Sequence, residues 1–308
     1  MFTGLNRSIV LMGILISLIL LSTPGYAESV PSRINVSIYA YNIHGFDVST
    51  GSYDVDFYIH FKWNADEVPK NTSDQVTSFD LMNGRIDSQK TISSAPGDIW
   101  LGVSGTFNKR VDLKDYPVDT QTMTIELENS NLNNSDLIYV ADTNESSLDK
   151  GVEVLGWVIK GWDIYTTDHF YPTFNETYTR LVYKMTITRY ISILFKTVLP
   201  AMILLVIGLF AFLIPPADLF ERLGLLIAVV LGSFQHHLAV SGTIPPAPYL
   251  TLIDAIMVTN YITQGFIIII SIYLFRQEEE RGIRLNKMMP FVTVALALIM
   301  FVLLWEFL

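Results

Sequence analysis

Polar and apolar positions divide the chain near residue 189. In the stretches 34–46, 53–63, 123–127, 152–159 and 178–187, β-branched and aromatic residues alternate or cluster. Asn, Gly, Asp and Ser punctuate them, a texture that predicts strands. No pattern spanning three turns of an amphipathic helix interrupts this region. Residues 28–188 are therefore expected to form an all-β, immunoglobulin-like sandwich.

Beyond residue 189 the pattern becomes continuously apolar. Four segments, about 191–214, 219–241, 250–275 and 289–308, are each long enough to cross a hydrocarbon core as a helix. Pro215-Pro216 closes the first, because proline neither donates a backbone bond nor continues a helix. Pro245, Pro246 and Pro248 separate the second from the third. Between the third and fourth lie Arg276, Arg281, Arg284 and Lys287, which make the 276–288 connection cytoplasmic by the positive-inside rule. The domains are thus 28–188 outside the membrane and 189–308 as an all-α four-helix bundle within it.

The second segment differs from the others. Glu221, Gly224, Ala228, Leu231, Gln235, Leu238 and Gly242 recur every three or four residues and form one stripe, with Ala239 beside it. Leu223, Leu226, Ile227 and Val230 between them are bulky and suit packing on neighbouring helices. A less apolar stripe either packs closely on another helix or lines water. An ionisable group at its start favours water, since a carboxylate at membrane depth is costly unless hydrated or paired.

Composition adds less. The formal net charge of −10 falls almost wholly within 28–188. An acidic surface excludes nucleic acid as a partner and suits either plain solubility or the concentration of cations. The absence of cysteine excludes disulfides and thiolate metal sites, and no cofactor or metal is expected. Arg7, the apolar run 9–21 and Gly25-Tyr26-Ala27 read as a signal peptide over 1–27, with a retained anchor as the alternative. Asn35, Asn71, Asn133, Asn144 and Asn175 head glycosylation-type triplets, a weak sign of external location.

Several runs together resemble the pentameric ligand-gated ion channels (the Cys-loop receptor superfamily) in their prokaryotic, cysteine-free form. Pro216-Ala217-Asp218-Leu219-Phe220-Glu221-Arg222 is similar to the start of the pore helix in cation-selective members. Residues 111–121, containing Tyr116-Pro117-Val118-Asp119-Thr120-Gln121, resemble the signature loop; the cysteines closing it in animal members would fall at Lys109 and Met123. Trp63-Asn64, Gly161-Trp162-Asp163, Pro200 and the run 249–254 match further strand and helix signatures in the same order. The chain departs from the family between Trp63 and Trp100, which is short, at Ser130, where an aromatic is usual, and at Arg189, which arrives one residue late.

The resemblance implies a homopentamer in the plasma membrane, each subunit contributing its second helix to a cation pore. Glu221 and Gly224 would then form the selectivity filter, and Ala228, Leu231, Gln235, Leu238, Ala239 and Gly242 the lining and gate. A salt bridge to Arg222 competes for Glu221. A ligand site between subunits would use Phe170, Tyr171, Phe174 and Tyr178 from one face, Tyr58 and His60 from the other, and Phe79 from a first loop. Core packing is the competing role for each. The ligand class is a small cation, a proton or calcium; monovalent cations would permeate, and lipid would surround the helices. Asp47, Tyr116, Pro117, Asp119, Arg189, Pro245, Pro248 and Tyr249 would couple site to gate, Asp119 with Arg189 as the ionic tie. His236 and His237 are candidate proton sensors. An enzyme is disfavoured, since no His-x-x-x-His pair, nucleophile elbow or phosphate-binding glycine loop occurs. A non-conducting β-sandwich sensor and an anion-selective member of the same family are the remaining alternatives.

Overall fold

The computed structural model describes residues 31–65 and 73–306; the expected signal segment and Asn71 lie outside them. Among the described residues, ten strands precede four long helices. The strands are β1 (Ser32–Ile43), β2 (Ser52–Lys62), β3 (Phe79–Leu81), β4 (Gly84–Ala95) and β5 (Asp98–Asn108). β6 (Thr120–Asn129), β7 (Leu137–Ala141), β8 (Ser147–Leu148), β9 (Trp157–Tyr171) and β10 (Glu176–Arg189) follow. One sheet runs β4-β5-β2-β1-β7, with β8 also on β1; the other runs β3-β6-β10-β9.

Period-two alternation decides how they pack. Val55, Phe57, Ile59 and Phe61 of β2 and Ile34, Val36 and Ile38 of β1 point inward from the first sheet. Met123, Ile125 and Leu127 of β6 and Leu181, Tyr183, Met185 and Ile187 of β10 meet them from the second. Burial pushes the Tyr53 phenol up to about 12, although its oxygen accepts from Thr124 N at 2.7 Å. The expected strands at 34–46, 53–63, 123–127 and 178–187 are present. The fourth is displaced: 152–156 is a turn, and β9 starts only at Trp157. β4 and β5 were not anticipated.

The helices are α1 (Ile191–Leu209, extended by a 3₁₀ turn, Phe210–Leu213), α2 (Leu219–Ser241), α3 (Leu252–Phe275) and α4 (Glu279–Trp305). All four are long and apolar enough to span a membrane. The fourth corrects the sequence reading. It starts ten residues earlier than 289, so most of the presumed 276–288 loop is helix, opened by Glu279 and Glu280 in the first turn. Acidic side chains there complement the positive end of the helix dipole. Thr251 starts α3 through a capping box: its hydroxyl accepts from Asp254 N, and the Asp254 carboxylate accepts from Thr251 N at 2.9 Å.

Candidate functional site

The uncovered face of α2 carries the predicted stripe. Arg222, Leu226, Val229, Ser233 and Val240 are buried against the rest of the bundle. Glu221, Gly224, Ala228, Gln235, Ala239 and Gly242 stay exposed in the single subunit, with Leu231 63% and Leu238 53% exposed. Glu221 and Leu231 are about 15 Å apart along the axis, at 1.5 Å per residue. Ile227 corrects the sequence reading, since it is 56% exposed and joins the uncovered face rather than the packed one. The competing Glu221–Arg222 salt bridge does not form. Arg222 turns inward and donates from Nε to Ile214 O at 3.0 Å and from Nη2 to Asn286 Oδ1 at 2.8 Å.

His236 and His237 point away from that stripe. His236 Nε2 lies 2.8 Å from Thr197 O of α1. His237 Nε2 lies 3.0 Å from Asp254 Oδ1, and its Nδ1 is 3.2 Å from the Tyr261 hydroxyl, both on α3. They are inter-helix ties.

The junction between sandwich and bundle is built around the loop 110–119. Leu252 N and Ile253 N, which open α3 and lack partners in their own helix, donate to Lys114 O (2.8 Å) and Tyr116 O (3.2 Å). The Tyr249 hydroxyl accepts from Leu113 N at 3.0 Å, and the Tyr116 hydroxyl lies 3.2 Å from Thr243 Oγ1. Leu113 and Tyr116 pack with Ala201, Val240, Ile253 and Met257 of three helices. Asp119, 2% exposed, accepts from Arg189 Nε and from Gln121 Nε2. The Arg189 guanidinium also lies over the rings of Trp157 (4.4 Å) and Tyr116 (4.8 Å). The expected ionic tie is therefore present, and it is buried rather than superficial. Pro117 and Arg189 line a cleft of about 350 Å³ beside it. Pro245 and Pro248 lie in the loop between α2 and α3.

Asp47 is different. Its carboxylate accepts from Thr50 Oγ1 and Ser49 N, both at 2.8 Å, and these bonds hold it below the usual carboxylate range. It ties its own hairpin together, and Val48 beside it reaches the junction instead.

On the β9–β10 hairpin, Phe170 and Phe174 are exposed, and Tyr171 stands edge-on to Tyr178 at 5.7 Å. Tyr171 donates to Glu128 Oε2 at 2.9 Å; partial burial and that bond raise its phenol. Arg180 Nε donates to Glu128 Oε1 at 2.7 Å, and Lys109 Nζ lies 3.2 Å from Glu126 Oε1. This ionic strip, missed in the sequence, joins three segments far apart in the chain. Tyr58 projects from the outer side of the other sheet, 4.7 Å from Tyr41. Alternation puts Tyr171 and Tyr178 on the outer side of their own sheet, so the two aromatic groups face away from each other within one subunit.

Two expected ligand contacts are corrected. Phe79 is only 5% exposed and packs in the sandwich core, 5.9 Å from Phe61. His60 is buried: it stacks on Trp100 at 4.1 Å, with Nδ1 2.9 Å from Glu145 and Nε2 3.2 Å from Asp98.

No family model matches the chain. A curated protein, the proton-gated ion channel of Gloeobacter violaceus, is 20% identical over 264 residues, which span 79% of this chain and 73% of that protein. The match agrees with the β-sandwich and the four apolar helices, an architecture consistent with a pentameric ligand-gated ion channel. The chain is a membrane protein of channel type rather than an enzyme, with its β domain outside the bilayer. At the junction, helix α3 borrows carbonyls from the sandwich to satisfy its first turn.

Proposed function

We propose that the chain forms a homopentameric, cation-selective channel gated from outside the membrane, with α2 lining the pore. The observation that carries this reading is Glu221, a carboxylate left on the uncovered face at the start of α2 while its basic neighbour is turned inward. Five-fold closure repeats it as an acidic ring that attracts cations and repels anions. Gly224 completes the filter, Ala228, Gln235, Ala239 and Gly242 line the path, and Leu231 with Leu238 forms apolar constrictions that close by dewetting.

The agonist site lies between subunits. Phe170, Phe174, Tyr171 and Tyr178 of one copy face Tyr58 of the next, an arrangement supported by their opposite directions within a single copy. Tyr116, Pro117, Asp119, Arg189 and Tyr249 pass the resulting motion to α2 and α3, with Pro245 and Pro248 in the same loop. The basic side chains from Arg276 to Lys287 face the cytoplasm.

Protons are a second agonist reading, favoured by the proton-gated Gloeobacter violaceus relative. His236 and His237, tied to α1 and α3, are then the candidate sensors within the bundle.

The test is a bilayer recording of the purified full chain under a salt gradient, with amines, acid steps and calcium applied in turn. Gated current reversing near the cation potential, with that preference lost in Glu221→Ala, is the expected result. Reversal near the anion potential would overturn the filter. An acid response unchanged when both histidines become Asn would remove them as sensors.

A further inference from the structure

The inner end of the bundle holds a buried cation with no carboxylate partner. Arg222 is 0% exposed, at the end of the bundle where Ala211, Phe212, Leu226 and Leu274 form an apolar cluster with Leu285 and Met289 of α4 packed against it. A guanidinium in such a place is costly unless its donors are used. Here Nε and Nη2 are used, on a backbone carbonyl and on Asn286, while Nη1 is left without a partner among the described residues. Pro215 and Pro216 have no N–H, so Phe212 O loses its ordinary helical donors; the backbone turns extended at Ile214, which takes Ile214 O out of the helical ladder as well. Arg222 supplies Ile214 O through Nε and Nη2. Asn286 of α4 supplies Phe212 O through Nδ2 at 2.8 Å, and its Oδ1 accepts from Arg222 Nη2 at 2.8 Å. Thus Asn286 both satisfies one orphaned carbonyl and holds the arginine on the other.

The consequence concerns the sign of charge at the pore mouth. Successive residues on a helix point about 100° apart, so Glu221 and Arg222 cannot both face the same way. Whichever of the two is held inside fixes the other on the uncovered face. Rotating the first turn of α2 by one residue would replace a ring of carboxylates with a ring of guanidinium groups. Arg222 cannot resist that rotation alone, because its Ile214 anchor belongs to the short connector leading into α2. Asn286 ties the assembly to a separate helix.

We propose that Asn286 is a positioning residue for the Glu221 carboxylate, acting through Arg222, so that the outermost helix α4 sets the ion preference of the pore. The proposal rests on the reading of Glu221 as the filter. A merely structural asparagine would change yield or thermal stability and leave ion preference alone, which separates the two roles.

The experiment compares wild type, E221A, N286A and N286Q as full chains in bilayers under a KCl gradient. N286A should lower the cation-to-anion permeability ratio severalfold, and N286Q, which keeps the amide, should recover part of it. Unchanged reversal potential in N286A, alongside lost preference in E221A, overturns the proposal and leaves the filter standing. Unchanged preference in E221A overturns both. If N286A does not assemble, N286S carries the same comparison with a smaller disturbance. Because the chain has no cysteine, E221C gives a second readout. A severalfold change in its rate of modification by a cationic thiol reagent on adding N286S supports the positioning role; an unchanged rate refutes it.

Discussion

The Asp119–Arg189 pair is a buried charge interaction at the membrane end of the sandwich, beside its junction with the bundle, and Asp119→Asn tests it with almost no change of shape. In the native protein the carboxylate accepts from Arg189 Nε and Gln121 Nε2, while Arg189 Nη2 already lacks a partner. Neutralising Asp119 leaves a guanidinium held between Trp157 and Tyr116 with no anion. Removing one member of a buried pair costs about 3–5 kcal/mol, against about 1 kcal/mol or less for an exposed pair. At about 2–4 °C per kcal/mol for a chain of this order of size, the lower estimate gives a fall in melting temperature of about 6–12 °C. The measurement is loss of assembled protein on heating, followed by size-exclusion chromatography of the full chain in detergent. Membrane proteins seldom unfold reversibly, so the comparison is made at one heating rate. Replacing both partners (Asp119→Asn with Arg189→Met) should recover part of the loss, because no orphaned charge remains. A shift within about 2 °C for Asp119→Asn would show that the pair behaves like a surface contact, and would refute this reasoning.

Two further outcomes follow from packing and charge. Gly208→Ala places a methyl inside contact distance of both terminal atoms of Gln264, which is buried between α1 and α3. The usual gain of about 1 kcal/mol for Ala over Gly in a helix should therefore be reversed, and pairing it with Gln264→Ala should restore stability. Glu126 is partly buried, which opposes its ionisation, but bonds from Thr124 and Lys109 and the nearby Arg180 outweigh this and lower its pKa. A lowered folded-state pKa contributes stability above the ordinary carboxylate value of about 4.3, and that contribution is lost as pH falls through the lower folded value. Glu126→Gln should accordingly reduce thermal stability at pH 7 and converge with wild type in strong acid. A constant difference across the acid range would contradict the assignment.

How much of this was legible follows from which interactions are local. The sandwich strands that one face buries announce themselves by alternation, as 53–63 does, because Val55, Phe57, Ile59 and Phe61 all enter one core. β4 has no such signature: every residue from Arg85 to Ala95 is exposed, and the strand is held by its backbone ladder to β5. Phe79 and His60 were misplaced for the opposite reason. Both have suitable chemistry for a ligand, but each is claimed by partners distant in sequence: Phe61 for the first, and Trp100, Asp98 and Glu145 for the second. Asp119 with Arg189 was readable only through the family resemblance, since 70 residues separate them.

Helix α2 shows the same boundary at finer scale. Three-and-four spacing is enough to find the stripe that begins at Glu221, but spacing alone assigns no direction to it. The stripe is accompanied by the inward turn of Arg222, which bonds Ile214 O, where the chain leaves the 3₁₀ turn, and Asn286 far along the chain, itself bonded to the Phe212 carbonyl that Pro215-Pro216 orphan. The two prolines were a readable part of this. A pair of residues without N–H groups at the end of a helix leaves acceptors that some other donor must satisfy. Arg222, six residues beyond them and beside an acidic neighbour that has to remain in water, is the nearest strong donor in the sequence. Its partner on α4 has no comparable signal. An asparagine in a helix ordinarily reads as a weak helix former, and only the packing of α4 against the end of α3, where Gly282 leaves room beside Leu274 O, brings it to the arginine. The charge left uncovered at the start of α2 is thus written locally in the adjacent Glu221 and Arg222, whereas the choice between them is made by tertiary contact.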